Sequence, residues 1–327
     1  MPVHCFAGHP NLSRLCGLYA KGLTILTDVF SEGAAWMRGR IIPIGEACIP
    51  ITDWGLTHCD ITYDVVPVWK GGMFRLPAYL DRFEASMAAL RLDPDMTRDA
   101  IQSALIQMVA ASGLRNSYVA MVCSRGTPTI AGSRDPRHCR NHFYAWCVPY
   151  VQVIRPEVIA KGASACIAQT VQRIPDGSVD PIVKNYHWGD FTKGLFEAKD
   201  AGFETVILTD ADGNITEGPG FNVFAIKHGK LLTSGHGVLS GITRRTVLEI
   251  ATQLGLQVDI RPLPQTVLLD ADEVFISSSA GGVIPIVKVN ETIFAGGACG
   301  PATQSIYQTY WDWMAAPAYR TEIIYNN

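Results

Sequence analysis

Four short stretches of this chain carry residue types that could act together in chemistry. The first is Pro181-Ile182-Val183-Lys184-Asn185-Tyr186-His187-Trp188-Gly189-Asp190, with a lysine at its centre. A lone acid follows in Thr216-Glu217-Gly218-Pro219-Gly220-Phe221-Asn222, then come Gly241-Ile242-Thr243-Arg244-Arg245 and Ser277-Ser278-Ser279-Ala280-Gly281-Gly282. A lysine amine can condense with a carbonyl, and an acid can face a ring nitrogen. Small-residue stretches let backbone N–H groups meet an anion. An amine, an acid and two anion cradles, in that order, are what a protein needs to hold pyridoxal 5'-phosphate.

Each part also has a plainer reading. Apolar Ile182 and Val183 precede Lys184, and aromatic Tyr186 and Trp188 follow it. Such a setting removes solvation, lowers a lysine's pKa and makes it a usable nucleophile. It equally fits a surface lysine whose stem crosses an apolar patch. Glu217 follows the turn signal Asp212-Gly213, and Gly218 and Gly220 beside it leave room for a flat ring. An ionised acid there would keep a pyridine nitrogen protonated; alone, the same residue reads as a hairpin-edge glutamate in water. Gly241-Ile242-Thr243 opens an expected helix whose first N–H groups are free, and the Thr243 hydroxyl adds a donor. Ser279 offers another donor among small neighbours. Arg82 supplies a guanidinium fork, with Ala85, Ser86 and Ala89 leaving space near it. Gly-Ile-Thr by itself is an ordinary helix start; the ordered set carries the signal.

The 327 residues have room for two ordinary domains and a large core. Charged residues make up 17% and hydrophobic ones 48%, the balance of a globular protein. A net charge of −3 with no block of one sign gives no reason to expect a nucleic-acid or membrane-surface partner. Met1 to Ala20 lacks a signal-peptide pattern, and no apolar run reaches the ~18 residues of a membrane helix. The nine cysteines are scattered and never spaced Cys-x-x-Cys, so they read as reduced thiols of a cytoplasmic protein. His138-Cys139-Arg140-Asn141-His142 has no second ligand cluster to complete a zinc site. It is expected to be a polar loop, and no metal is expected.

Elements that would position these residues follow from periodicity. Residues 1–34 show no period and read as an N-terminal extension. Trp36 to Pro43 predicts a hairpin at Gly39, and Ile61 to Trp69 a strand with its turn at Gly71-Gly72. Leu80, Phe83, Met87 and Leu90 predict a helix over 78–92. Thr97 and Gly113 bracket another that carries Ile101, Leu105 and Met108. Strands are expected at 118–123 and 143–148, completing a small α+β domain over 35–148. Prolines mark 149–156 as the interdomain linker. The large domain, 157–327, has strands expected at 163–169, 204–209, 221–226 and 273–278, and helices at 190–201, 243–254 and 302–314. Mixed strands and helices in both halves indicate α+β rather than a doubly wound sheet.

Taken together these residues resemble the fold-type IV pyridoxal-phosphate enzymes: branched-chain aminotransferases, D-amino-acid aminotransferases, aminodeoxychorismate lyases and (R)-selective amine transaminases. The resemblance runs from about Trp36 to Tyr325. It is strongest to the (R)-selective amine transaminases, through His58-Cys59-Asp60-Ile61-Thr62-Tyr63-Asp64-Val65, Val183-Lys184-Asn185 with Trp188-Gly189-Asp190, Thr216-Glu217-Gly218, Gly241-Ile242-Thr243-Arg244 and Ala280-Gly281-Gly282. It implies a two-domain fold of the D-amino-acid aminotransferase type, with Lys184 holding pyridoxal 5'-phosphate and Glu217 facing the pyridine nitrogen. Arg82, Ile242, Thr243 and Ser279 would take the phosphate. His58, Tyr63, Val65, Tyr118, Val151 and Trp188 would line the substrate pocket, and the backbone at Ala280 and Gly281 would help receive a carboxylate. A homodimer is also implied.

Three departures narrow the expected activity. Gly189 stands where branched-chain enzymes usually carry a tyrosine five residues after the lysine. Ala131 stands where amine transaminases of this type often place a carboxylate-binding arginine, leaving Arg125 or Arg134 as substitutes. Pro219 and Ser278 replace residues usually serine and threonine. The expectation is a transaminase that moves an amino group from an (R)-configured primary amine to a keto acid such as pyruvate. A D-amino-acid or branched-chain amino-acid aminotransferase is the alternative, and an aminodeoxychorismate lyase-type enzyme the second alternative.

Overall fold

The computed structural model describes residues 29–325, so the extension expected over 1–34 lies almost wholly outside the described residues. The described residues build two large β-sheets with helices packed on them, and a separate two-stranded pair, Asn214–Ile215 with Leu263–Pro264. The first sheet has seven strands, all antiparallel, in the order Arg320–Glu322, Gly72–Phe74, Ile61–Trp69, Ser117–Pro128, Cys139–Pro149, Ala34–Met37 and Arg40–Pro43. Its two faces follow from the alternation of side chains along each strand. Val66, Val68, Val119, Met121, Phe143 and Ala145 turn to one side and form a core with helices α1 (Leu76–Ala89) and α2 (Arg98–Ser112). Ile61, Tyr63, Val65 and Val122 turn to the other, where Tyr118, Tyr144 and Tyr186 lie half-buried.

Helix α1 buries Leu76, Tyr79, Leu80, Phe83 and Met87, a stripe at three- and four-residue spacing. Its start at Leu76 precedes the expected position 78, because Pro77 in the first turn gives up an N–H that would have no helical partner anyway. Helix α2 begins where the Thr97 hydroxyl accepts the Ala100 N–H at 3.2 Å, and it stops at Gly113.

The second sheet has nine strands and mixed direction. Its main path is Gln257–Ile260, Lys230–Thr233, Phe221–Lys227, Glu273–Ser278, Gly282–Val289, Ala163–Ile167 and Thr205–Ile207. Helices α3 (Gly189–Asp200), α4 (Ile242–Gln253) and α5 (Pro301–Ala315) cover it. Phe224 and Phe275 stack at 4.8 Å and meet Val247 and Ile250 of α4 and Ile306, Tyr310 and Met314 of α5. Burying each such side chain contributes about 1.5–3 kcal/mol. This is the two-domain α+β fold expected from the sequence.

Four features differ from expectation. Cys139 to His142, expected as a polar loop, instead open the strand Cys139–Pro149, paired with Ser124 to Pro128. Gly72 opens a strand, so the turn falls on Lys70 and Gly71. On the main path of the second sheet, the strands Lys230–Thr233, Gln257–Ile260 and Gly282–Val289 are additional. The chain's end returns from the second half, and Arg320–Glu322 pairs with Gly72–Phe74 as an edge strand of the first sheet. Seven cysteines among the described residues are free. No helix among them is long and apolar enough to cross a membrane.

A buried carboxylate anchors the turn that enters the first sheet. Asp53 accepts the Gly55 N–H at 2.7 Å, the Ser124 hydroxyl, and His142 Nε2 at 2.6 Å. Burial alone would raise the Asp53 carboxyl, but the bonds from His142, Ser124 and Gly55 outweigh it and hold the group below its usual value. Its contribution to stability is therefore complete above the ordinary aspartate range and is lost as pH falls through the lowered folded value. Asp53→Asn should cost about 1–3 kcal/mol near neutrality, read as a lower thermal midpoint. The gap to wild type should narrow below about pH 3.9; a gap that stays constant there would mean the charge is irrelevant.

Candidate active site

Lys184 sits in an irregular segment tied down by its backbone. Its carbonyl accepts the Thr62 hydroxyl at 2.6 Å and the Tyr63 N–H at 3.4 Å, and its N–H donates to Ser86 Oγ of α1 at 3.3 Å. Thr62 and Asn185 also form a β-bridge. The first sheet and α1 thus fix the lysine from two sides and leave its side chain free. Nζ lies 4.3 Å from the centre of the Tyr63 ring, a cation–π contact. Tyr63 in turn stacks on Tyr186 at 4.1 Å. Ile182, expected as an apolar wall, points to solvent instead, while Val183 is buried.

Glu217 is buried where a short strand pairs with Phe221–Lys227. Gly220, at φ +80°, makes the tight turn between the two strands, a left-handed conformation that favours glycine. Arg173 Nε donates to Glu217 Oε1 at 3.1 Å, and the Leu239 N–H donates to Oε2 at 3.0 Å. The same guanidinium donates through Nη1 to Asp190 Oδ2 at 2.6 Å. Two buried carboxylates therefore share one guanidinium. Burial pushes the Glu217 carboxyl up; Arg173, the Leu239 N–H and Lys184 pull it down without overcoming burial.

The anion side is built from α4, α1 and the turn after Glu273–Ser278. Gly241 precedes α4 and packs so tightly that a β-carbon there would lie 2.3 Å from Asn222 Oδ1. Arg82 reaches in from α1. Its Nε and Nη2 donate to Asp64 at 2.8 and 2.6 Å, and Nη1 donates to the Ser240 carbonyl at 3.0 Å. The Asp64 side chain is wholly buried. Ser279 Oγ meets the Tyr79 hydroxyl at 2.8 Å.

Lys184, Glu217, Arg82, Ile242, Thr243 and Ser279 surround one pocket, together with Tyr63, Val65, Tyr118, Trp188 and Ala280. Three residues expected at the substrate pocket are not on its wall. His58 is exposed; its ring meets Trp54 in a tilted contact at 4.6 Å and its Nδ1 pairs with Thr57 Oγ1. Val151 is 43% exposed on the connection between the two halves. Gly281 is held away, its N–H donating to Tyr150 Oη at 2.9 Å, and the Ala280 N–H donates to Ser278 Oγ at 3.1 Å. The backbone donors expected to receive a carboxylate already have partners within the chain. Arg125 is no substitute clamp either. Its guanidinium is spent on Asp60 and on the carbonyls of Leu90 and Arg91. Arg134 is exposed and outside the pocket.

Arg173 and Tyr79 carry no signal of a role in the sequence. Asp190 and Asp64 stand inside motifs quoted above, yet nothing local marks which cation either one meets.

An amine, a buried acid and an anion cradle around one pocket define a carbonyl-cofactor enzyme. The amino-transferase class IV family model matches residues 62–289, and the chain belongs to that family. It is a fold-type IV aminotransferase whose cofactor is pyridoxal 5'-phosphate. D-alanine aminotransferase of Bacillus licheniformis is 27% identical over 279 residues, covering 82% of this chain and 93% of that protein. Branched-chain-amino-acid aminotransferase of Escherichia coli K12 is 24% identical over 285 residues, covering 84% and 91%. The crystal structure of the branched-chain aminotransferase from Thermoproteus uzoniensis with norvaline superposes with a TM-score of 0.80. The two are 24% identical, over 89% of this chain and 99% of that one.

The residues present fit the cofactor. Ser277 Oγ is buried at the pocket without a hydrogen-bond partner, as a hydroxyl reserved for an anion would be. The helix N-terminus at Ile242 and Thr243 suits a phosphate.

Proposed function

We propose that this chain transfers an amino group from an (R)-configured primary amine to a keto acid such as pyruvate. In this reading Lys184 would hold the cofactor covalently and Glu217 would face its ring nitrogen. Arg82, the Ile242 N–H, Thr243 and Ser279 would hold its phosphate. Bound there, the cofactor supplies an electron sink for the substrate carbon. Lys184 Nζ takes the proton from that carbon and returns one, as base and then acid. Glu217 keeps its place through Arg173 and the Leu239 N–H.

One observation carries the choice of substrate: both arginines at the pocket are already paired. Arg82 is engaged by Asp64 and in this reading gives its remaining N–H groups to the phosphate, and Arg173 is engaged by Glu217 and Asp190. A donor's carboxylate would find no free guanidinium among the described lining residues, and the keto acid's carboxylate would be met by other donors, whereas Tyr63, Tyr118 and Trp188 offer rings to an apolar group. Burying such a group contributes about 1.5–3 kcal/mol, enough to favour an aryl or alkyl amine over a small polar one. A second reading, an aminotransferase for D-amino acids or branched-chain L-amino acids, is favoured by the names of the relatives.

We also assign the working unit as a homodimer. Ile51 and Leu56, 83% and 57% exposed, lie in the segment leading to His58 and are large apolar side chains that a second copy would cover. The discriminating experiment adds (R)-1-phenylethylamine, its mirror image, D-alanine and L-leucine separately to the holoenzyme. Conversion of the cofactor spectrum to the amine form by the first alone is expected; a response to L-leucine alone overturns the substrate assignment. Sedimentation of the same holoenzyme as a monomer would remove the dimer.

A further inference from the structure

We propose that Tyr79 is a positioning residue of the phosphate cradle, acting through Ser279. Tyr79 lies on α1 with no solvent exposure, and its hydroxyl meets Ser279 Oγ at 2.8 Å across 200 residues of sequence. Its ring also carries Arg82, whose guanidinium carbon lies 5.6 Å from the ring centre. One side chain thus touches two of the groups read above as phosphate ligands, and the inference rests on that reading of Ser279.

The direction of the contact follows from counting hydrogens. Ser279 Oγ carries one hydrogen, which must point at an anion in the pocket if the residue is to bind it. Its oxygen then has to accept from Tyr79. Burial pushes the phenol up, against the bond to Ser279, so it keeps its proton and can donate. Two hydroxyls in series, each polarising the next, make the second a stronger donor. The Ser279 backbone is pinned separately, its carbonyl accepting from Tyr150 Oη at 3.1 Å. Tyr79 therefore sets the direction of the Ser279 hydroxyl, and Tyr150 sets the place of its backbone.

Tyr79→Phe keeps the buried ring and removes only the hydroxyl. The full chain, freed of cofactor, would be titrated with pyridoxal 5'-phosphate and with pyridoxal, following cofactor absorbance, beside Ser279→Ala as the reference. Tyr79→Phe should raise the Kd for the phosphorylated form roughly tenfold and leave that for pyridoxal and the thermal midpoint unchanged. Equal weakening of both ligands would mean a general structural role and overturn the proposal, as would no change in either. If Ser279→Ala separates the two ligands but Tyr79→Phe does not, the role of Tyr79 falls alone. If neither separates them, the phosphate assignment of Ser279 falls with it.

Discussion

Lys184→Ala should yield a folded protein with almost no transamination. Two separate sets of contacts at this residue lead to that outcome. The backbone of Lys184 does the anchoring, through Thr62, Tyr63 and Ser86, and alanine keeps all of it. The side chain gives up the contact of Nζ with the Tyr63 ring, worth about 0.5–1 kcal/mol at a partly open site. The thermal midpoint of the apoprotein should therefore barely move. Turnover should fall at least a hundred- to ten-thousand-fold, roughly the range set by loss of a positioned acid–base group, with loss of the covalent link added to that. The decisive measurement is the mass of peptides from the borohydride-reduced holoprotein. Wild type should carry the cofactor on the peptide containing Lys184, and the variant should carry none. Attachment at another lysine, or substantial turnover in the variant, removes the basis of the functional assignment.

The parts of the site that the sequence displays are those with local causes. Gly241-Ile242-Thr243 announces a helix start because capping chemistry is written within a few residues, and α2 is bracketed by Thr97 and Gly113 for the same reason. Lys184 and Glu217 stand out because small or aromatic residues flank them. The ionic frame beneath is invisible at that range. Arg173 meets Asp190 and Glu217 across 17 and 44 residues, and Arg82 meets Asp64 across 18. No period or cap encodes such pairs, since they exist only once the sheets have folded. Tyr150 reaches Gly281 across 131 residues, so the expectation that Gly281 is open to a carboxylate could not be corrected from the sequence. Strand Gly282–Val289 is hidden differently: its first residue belongs to the small-residue run that reads as a cradle, and pairing with Glu273–Ser278 overrides that local signal.

The same hidden frame makes Arg173 the residue with the largest expected cost to stability. Its guanidinium and its two carboxylate partners are each less than a tenth exposed. Arg173→Met fills similar volume but leaves Asp190 and Glu217 without a counter-charge. Breaking a buried pair in this way costs about 3–5 kcal/mol. Glu217, which burial already pushes up, would lose the pull of Arg173 and hold its proton to higher pH still, widening the interval above its unfolded value. The folded variant then binds more protons than the unfolded chain across that interval, so its stability falls as pH rises through it. The deficit against wild type should accordingly be greater at about pH 8 than at about pH 5. A protonated Glu217 would also no longer favour a proton on the cofactor ring nitrogen, and turnover should drop even at temperatures where the variant is folded. Arg173→Lys restores one charge without the fork that spans both acids. It should recover part of the stability, because an ammonium can serve one carboxylate well and the other poorly. A methionine variant as stable as wild type, with a deficit independent of pH, would mean that the two acids are not held ionised by this arginine. The account of Glu217 as a charge fixed for the cofactor would then have to be given up, even if Lys184 proved to be the attachment point.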